Sequence, residues 1–360
     1  MCAGVAGVDA EGRGGEVVTV GRRVLITGVA GQLQGLVAQA LEARDDVAHL
    51  VGVDVREPPH DLRRTRFVRA DLRNPLVGHV LDEDEIDTVV HLSTTAAPGA
   101  AGGRLRMKER NVIGAMQLFA VCQHASSVQR VVLKSSTAVY GSDHTDPATF
   151  DEQATPTTPP RHGFAKDAAE IEGYLHSTGR KRPALELTIL RFANLLGPQV
   201  DSSFLSLFSL PAVPTVLGFD PRLQFCHEDD AVAVLELAAT GSHPGTYNVA
   251  GEGVLYLSQC IRLAGRVPAP MPGPFVSALA DVARRSGRAD LPADQLRFLR
   301  YGRVVELDRL RREFGYEPRY SSRATFEDFV ERRRLRGPVY PRTRRAGESQ
   351  HSSDADAKRR

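Results

Sequence analysis

The sequence predicts an α/β fold, a doubly wound parallel sheet followed by a smaller mixed α/β C-terminal lobe. Three observations predict it. Short apolar runs recur at Val24-Leu25-Ile26, Leu50-Val51-Gly52-Val53, Phe67-Val68, Thr88-Val89-Val90-His91, Val131-Val132-Leu133 and Leu187-Thr188-Ile189-Leu190. Helix-length segments separate them, most clearly over 110–124 and 164–178. Strands covered on both faces by crossover helices read as unbroken apolar runs, not as alternating ones. After Gly197-Pro198 the elements shorten and prolines crowd in, at 211, 214, 221, 268, 270, 272 and 274. That change of texture marks a second lobe over 199–336, and no repeat of solenoid period is present.

The first strand starts near Arg23 and stops at Thr27-Gly28. Leu33, Leu36, Val37, Ala40 and Leu41 then fall on one helical face. Between strand and helix lies Thr27-Gly28-Val29-Ala30-Gly31-Gln32-Leu33-Gln34-Gly35. Glycines there let the backbone approach a pyrophosphate, and a helix N-terminus offers free N–H groups and partial positive charge. Asp54 ends the next strand, where a carboxylate can accept hydrogen bonds from ribose hydroxyls. The pattern predicts a dinucleotide site on a Rossmann-type domain over 22–198. The plain alternative is a Gly-rich turn with a solvated aspartate. Asp54 would repel a 2′-phosphate and favours NAD over NADP, with Arg56 nearby as the argument for NADP.

Charge narrows the partners. Lys+Arg number 46 and Asp+Glu 44, a net of +2. The last 30 residues hold 10 basic and 4 acidic residues, so the body is mildly acidic and the tail basic. A surplus confined to a tail argues against a folded nucleic-acid face. Residues 1–21 and 337–360 are expected to be disordered. A hydrophobic content of 42% excludes disorder for the bulk. Cys2, Cys122, Cys226 and Cys260 have no paired spacing, so neither a disulfide scaffold nor a zinc site is expected. No signal-peptide core and no apolar run of about 18 residues occurs, and a cytoplasmic protein without a membrane span is expected.

These motifs resemble the extended short-chain dehydrogenase/reductase superfamily, in its NAD-dependent epimerase/dehydratase branch with UDP-glucose 4-epimerase. They also resemble an actinobacterial epimerase-like group lacking the catalytic tyrosine. Beyond the loop and Asp54, the likeness rests on Ala70-Asp71-Leu72, Val89-Val90-His91-Leu92-Ser93 and Asn111-Val112-Ile113-Gly114. It continues through Ser135-Ser136-Thr137-Ala138-Val139-Tyr140-Gly141, 191–198, Phe225-Cys226-His227-Glu228-Asp229-Asp230 and Tyr247-Asn248-Val249-Ala250-Gly251. It implies NAD contacts from Thr27, Gly28, Ala30, Gly31, Gln32, Leu33, Asp54, Asp71, Leu72, His91, Leu92, Ser93, Asn111 and Lys166. Substrate contacts are implied for Ser136, Thr137, Asn194 and Arg222. Ser136, His162 and Lys166 are the catalytic candidates. A homodimer through the helices at 110–124 and 164–178 is implied, as is a small-molecule substrate such as a nucleotide sugar.

Departures limit the likeness. His162 stands where the family's Tyr-x-x-x-Lys has tyrosine, with Lys166 in place. Histidine is an acid/base near neutrality without help, or else a polar residue lining a repurposed pocket. Tyr140 and Tyr174 are the other phenols considered. The third glycine of the loop is Gln34, with Gly35 one residue later. The diphosphate-binding arginine position is Leu223, with Arg222 beside it. No acid follows Ser136-Thr137, which leaves epimerisation or simple oxidoreduction in place of dehydration. The two functions expected are an epimerase-like oxidoreductase and a degenerate NAD(H)-binding regulatory module. For 227–230 a structural role is expected over metal binding. Phe275, Leu279 and Val282 form an amphipathic pattern, read as packing over the substrate cleft with a membrane-surface contact as the alternative.

Overall fold

The computed structural model describes residues 21–96, 102–200, 207–208, 210–273, 275 and 293–333. The expected terminal segments lie outside these residues, except for Gly21, as do Leu279 and Val282. In chain order the first elements are β1 (Arg22–Thr27), α1 (Gln32–Glu42), β2 (Val47–Asp54), β3 (Thr65–Arg69), α2 (Leu76–Glu83) and β4 (Thr88–His91). Then come α3 (Arg104–Lys108), a π-helical turn (Glu109–Ile113), α4 (Gly114–His124), β5 (Arg130–Ser136) and a 3-10 turn (Thr137–Tyr140). They are followed by α5 (Gly163–Lys181), β6 (Glu186–Phe192), β7 (Asn194–Leu196), β8 (Ala212–Val216), β9 (Arg222–Leu223) and β10 (Phe225–His227). The chain continues through α6 (Glu228–Thr240), β11 (Gly245–Val249), β12 (Leu255–Tyr256), α7 (Leu257–Leu263) and β13 (Val267–Met271). It ends in α8 (Ala293–Tyr301), a second π-helical turn (Leu310–Phe314) and α9 (Ser322–Arg332).

Seven strands form one parallel sheet in the order β11-β6-β5-β4-β1-β2-β3. All six apolar runs read from sequence are in it. Strand residues alternate between two cores. Val24, Ile26, Val90 and Val132 pack with Leu33, Val37 and Leu41 of α1 and Val234 and Leu235 of α6. Leu25, Val89, Val131 and Leu133 pack with α2, Leu118 and Phe119 of α4, and Ile171 and Leu175 of α5. Burial on both faces is why the runs lack polar alternation. The chain leaves β1 toward β3 and returns to β4 on the other side, so a crevice opens at the strands' carboxyl ends between β1 and β4.

Two elements from beyond residue 199 belong to this layer. β11 pairs parallel with β6, and α6 packs against α1. The expected division at 198/199 therefore divides the sequence, whereas the layer is completed by a later crossover. A third core, with Leu196, Leu223, Phe225, Leu257 and Phe326, lies in the smaller lobe.

α5 is tied at both ends to its neighbours. Arg104 holds buried Asp167 through Nη1–Oδ2 at 2.5 Å and Nη2–Oδ1 at 2.7 Å. At the far end Arg182 Nη1 donates to the carbonyls of Cys122 and Ala125, both at 2.7 Å. These are carbonyls that the end of α4 leaves without helical partners. Among the described residues no helix is long and apolar enough to cross a membrane.

Candidate active site

A cleft of about 660 Å³ lies along the carboxyl ends of the strands, a size typical of ligand pockets. One wall is the loop between β1 and α1. Gly28 has φ +76°, and a Cβ there would lie 2.9 Å from the Ser93 Cα. Only glycine fits that approach without strain. Gly31 is the N-cap of α1 with no side-chain cap, and the first turn holds no acid. The N–H groups of Gln32 and Leu33 are thus available to an anion. Asp54 ends β2 and braces the loop: Oδ2 accepts from the Ala30 N–H at 3.1 Å and Oδ1 from the Arg56 N–H at 3.1 Å. These features fit a dinucleotide: a glycine cradle, an uncapped helix start and a carboxylate at the ribose position.

Gln34 modifies that cradle. Its Nε2 donates to the Leu92 carbonyl at 2.9 Å, and its carboxamide lies where a Cβ on Gly31 would be, 2.1 Å from Oε1. The side chain in place of the third glycine thus folds into the cleft beside the phosphate loop.

Thr27 links the loop to β4. Its Oγ1 accepts from the Leu92 and Ser93 N–H groups at 3.1 and 3.2 Å. Its own proton then goes to His91 Nδ1, 2.9 Å away. That places the imidazole hydrogen on Nε2, which is buried and has no partner among the described residues. Burial, with the charge of Lys134 adding, pushes the His91 pKa down to about 3. Asn111, on the π-helical turn, bridges the Thr95 backbone: Oδ1 accepts from its N–H at 3.1 Å and Nδ2 donates to its carbonyl at 2.8 Å.

The opposite wall comes from β5 and the start of α5. Ser136 lines the cleft, and its Oγ accepts from the Ala138 N–H at 3.2 Å. Asn194, at the start of β7, lines it as well. His162 is exposed, lines the cleft and makes no hydrogen bond among the described residues. Gly163 follows with φ +71°. This left-handed residue leaves His162 outside the helical screw of α5, so positions 162 and 166 do not share a face as i and i+4 would. Lys166 turns instead to Glu170, Nζ to Oε1 3.5 Å, and is not among the residues lining the cleft.

The expected residues therefore divide. Gly28, Gly31, Gln32, Leu33, Asp54, Ser93, Asn111, Ser136, His162 and Asn194 converge on the cleft. Asp71 and Leu72 line a small adjoining hollow with Asp54 and Arg110. Thr27 and Ala30 support the loop from beneath. The side chains of His91, Leu92, Thr137, Lys166 and Arg222 do not reach the cleft. His91 and Leu92 are wholly buried and Thr137 nearly so. Arg222 is spent on the Ala148 carbonyl at 2.7 Å. Tyr140 is buried; its hydroxyl donates to Asn248 Oδ1 and accepts from Arg191 Nη1, both at 2.8 Å. Burial pushes its phenol pKa up. Tyr174 is exposed on α5, away from the cleft lining. His227 stacks on Tyr320 at 3.7 Å and faces Asp328, and no metal-ligand cluster occurs among the described residues. Phe275 is 66% exposed.

The cleft also holds cations that the sequence reading did not single out. Lys134 on β5, Arg110, Arg161, and Arg297 and Arg303 from the small lobe line it. Lys134 is half-buried with no hydrogen bond or ion pair among the described residues, and burial pushes its pKa down to about 8. The signal was a lysine at the end of an apolar strand, two residues before Ser136.

The family model of the NAD dependent epimerase/dehydratase family matches residues 24–250. An uncharacterised protein of Mycobacterium tuberculosis is 42% identical over 329 residues, covering 90% of this chain and 88% of the relative. UDP-glucose 4-epimerase of Haemophilus influenzae is 28% identical over 185 residues, 48% of this chain and 53% of that protein. The structure of Thermotoga maritima UDP-glucose 4-epimerase with UDP-glucose superposes with TM-score 0.68 at 18% identity, covering 87% of this chain and 98% of the other. Bacillus anthracis dTDP-glucose 4,6-dehydratase in complex with NAD gives TM-score 0.65 at 16% identity, covering 87% and 96%. These structural likenesses are of fold. With the match running from β1 to the residue after β11, the chain belongs to the NAD-dependent epimerase/dehydratase family.

Proposed function

We propose that this protein binds NAD and catalyses reversible hydride transfer on a nucleotide sugar or similar polyol, in the manner of an epimerase. The observation that carries the reading is one cleft with the Gly28–Gly31 loop and Asp54 on one wall and Ser136 and Asn194 on the other. The nicotinamide, when bound, supplies a reversible acceptor of hydride. The α1 start binds the diphosphate, Asp54 takes the adenosine ribose hydroxyls and disfavours a 2′-phosphate, and Ser136 hydrogen-bonds the reacting oxygen. Arg303 supplies positive charge where Arg222 does not reach, and Arg297 is paired with Asp143. The chain works as a cytoplasmic homodimer through α4 and α5, with 22–198, completed by α6 and β11, as cofactor domain and the rest of 199–336 as substrate lobe.

Calorimetry with NAD tests the cofactor. No binding at millimolar NAD would remove the reading. A substrate screen on wild type and His162→Tyr tests turnover. A second reading, an NAD(H)-binding regulatory module, is favoured by His162 in the tyrosine position and by Lys166 turned to Glu170. Activity appearing only in His162→Tyr would support it.

A further inference from the structure

The family's tyrosine is absent and its lysine points out of the cleft, so the proton that must leave the substrate hydroxyl has no acceptor from that pair. Lys134 is placed for the task. It sits on β5 two residues before Ser136, and residues i and i+2 of a strand share a face. Both side chains line the cleft, and Val132 continues the same face into the core. Lys134 Nζ has no hydrogen bond or ion pair among the described residues, whereas the other lysine near the site, Lys166, is paired. An ammonium in a partly buried site without a counter-ion is held nearer its neutral form.

The other charged groups facing the cleft do not reverse this. Asp54 is engaged by the Ala30 and Arg56 N–H groups. Arg56, Arg110, Arg161 and Arg303 are cations that oppose a charged lysine, and Arg297 is paired with Asp143. His162 at the start of α5 is exposed, and His91, the last residue of β4, is held neutral.

We propose that Lys134 is the proton acceptor for the reaction, in the place of the missing tyrosine. This rests on the NAD-dependent reading above. With NAD held at the α1 start and Asp54, its nicotinamide ring would accept the electron pair of the substrate C–H bond as hydride. The hydroxyl proton passes to the neutral amine of Lys134, the C–O bond becomes a carbonyl, and the ammonium returns the proton when the carbonyl is reduced. Ser136 holds the oxygen between them.

Competitive acetylation of the full chain, read at each of the five lysines by peptide mass spectrometry between pH 6 and 11, tests this. Lys134 is expected to show a midpoint near 8, against about 10.4 for an ordinary lysine. Saturating NAD should slow acetylation of Lys134 about tenfold or more, while AMP, which lacks the nicotinamide half, leaves it unchanged. A midpoint at or above about 10, or NAD binding without protection, or equal protection by AMP, would overturn the proposal and leave the cofactor reading standing. Absence of NAD binding by calorimetry would remove both.

Discussion

Arg191 and Glu172 form a buried ion pair that joins β6 to α5 beneath the cleft, Nη2 to Oε2 2.6 Å, with the side chains 12% and 6% exposed. The same guanidinium donates to the Tyr140 hydroxyl and the Glu152 carbonyl, and Ser135 donates to the same carboxylate. Burial opposes the charge on Arg191, but its hydrogen bonds to Glu172 outweigh it and its pKa is raised. The Tyr140 hydroxyl is consumed by this network, between Arg191 and Asn248.

Removing one partner leaves the other charge buried and unpaired. Arg191→Met should cost about 3–5 kcal/mol, measured by urea unfolding. A loss under about 1 kcal/mol, the range of surface pairs, would show that Glu172 finds water or another partner.

Asp54→Asn should weaken NAD roughly ten- to hundredfold, the worth of a hydrogen bond to a charged acceptor, and narrow the gap to NADP. Titration calorimetry with both nucleotides measures it. Unchanged NAD affinity would mean that Asp54 serves only to brace the loop through Ala30 and Arg56.

Gln34→Gly clears the carboxamide from beside Gly31. NAD should bind several-fold tighter, about 1 kcal/mol, while the protein loses about 1 kcal/mol of stability from a glycine in α1. Calorimetry and thermal melting read the two effects separately. Weaker binding would show that the carboxamide contacts the nucleotide favourably.

His91 gives stability a pH dependence. Its folded pKa lies near 3, below the 6.5 of the free group, so between these values the unfolded chain binds the extra proton. Stability is therefore full above about 6.5 and falls with pH toward 3, with a slope approaching ~1.4 kcal/mol per pH unit. Raised carboxyls, including Glu152 and Glu228, act in the opposite sense, gaining as pH falls. The difference between wild type and His91→Asn isolates the imidazole. Parallel curves from pH 4 to 7 would contradict its burial as a neutral ring.

The sheet was legible because β1, β2, β4, β5 and β6 are largely buried on both faces and announce themselves as runs, while the edge strand β3 shows only Phe67-Val68. β11 was not assigned to that sheet, since pairing with β6 depends on a long-range crossover that no local pattern encodes. The glycine loop and Asp54 were legible from order and spacing alone. The separation of His162 from Lys166 was not: it depends on the left-handed backbone at Gly163, and a glycine letter carries no sign of φ. Arg222 looked available beside Leu223, but the carbonyl that takes it, Ala148, is 74 residues away. Lys134 escaped notice because strand membership does not say whether an end residue meets core or cleft.

The two anchors of α5, Arg104 on Asp167 and Arg182 on the end of α4, have a mechanical consequence. They make α4 and α5 one plate, because neither can slide along the other without breaking a buried charge pair or uncapping a helix. His162 stands at the cleft edge of this plate and Tyr174 on its exposed side. His162 precedes the plate across the left-handed Gly163, so a ligand that displaces His162 moves the loop before α5 and leaves the register of the two anchored helices unchanged.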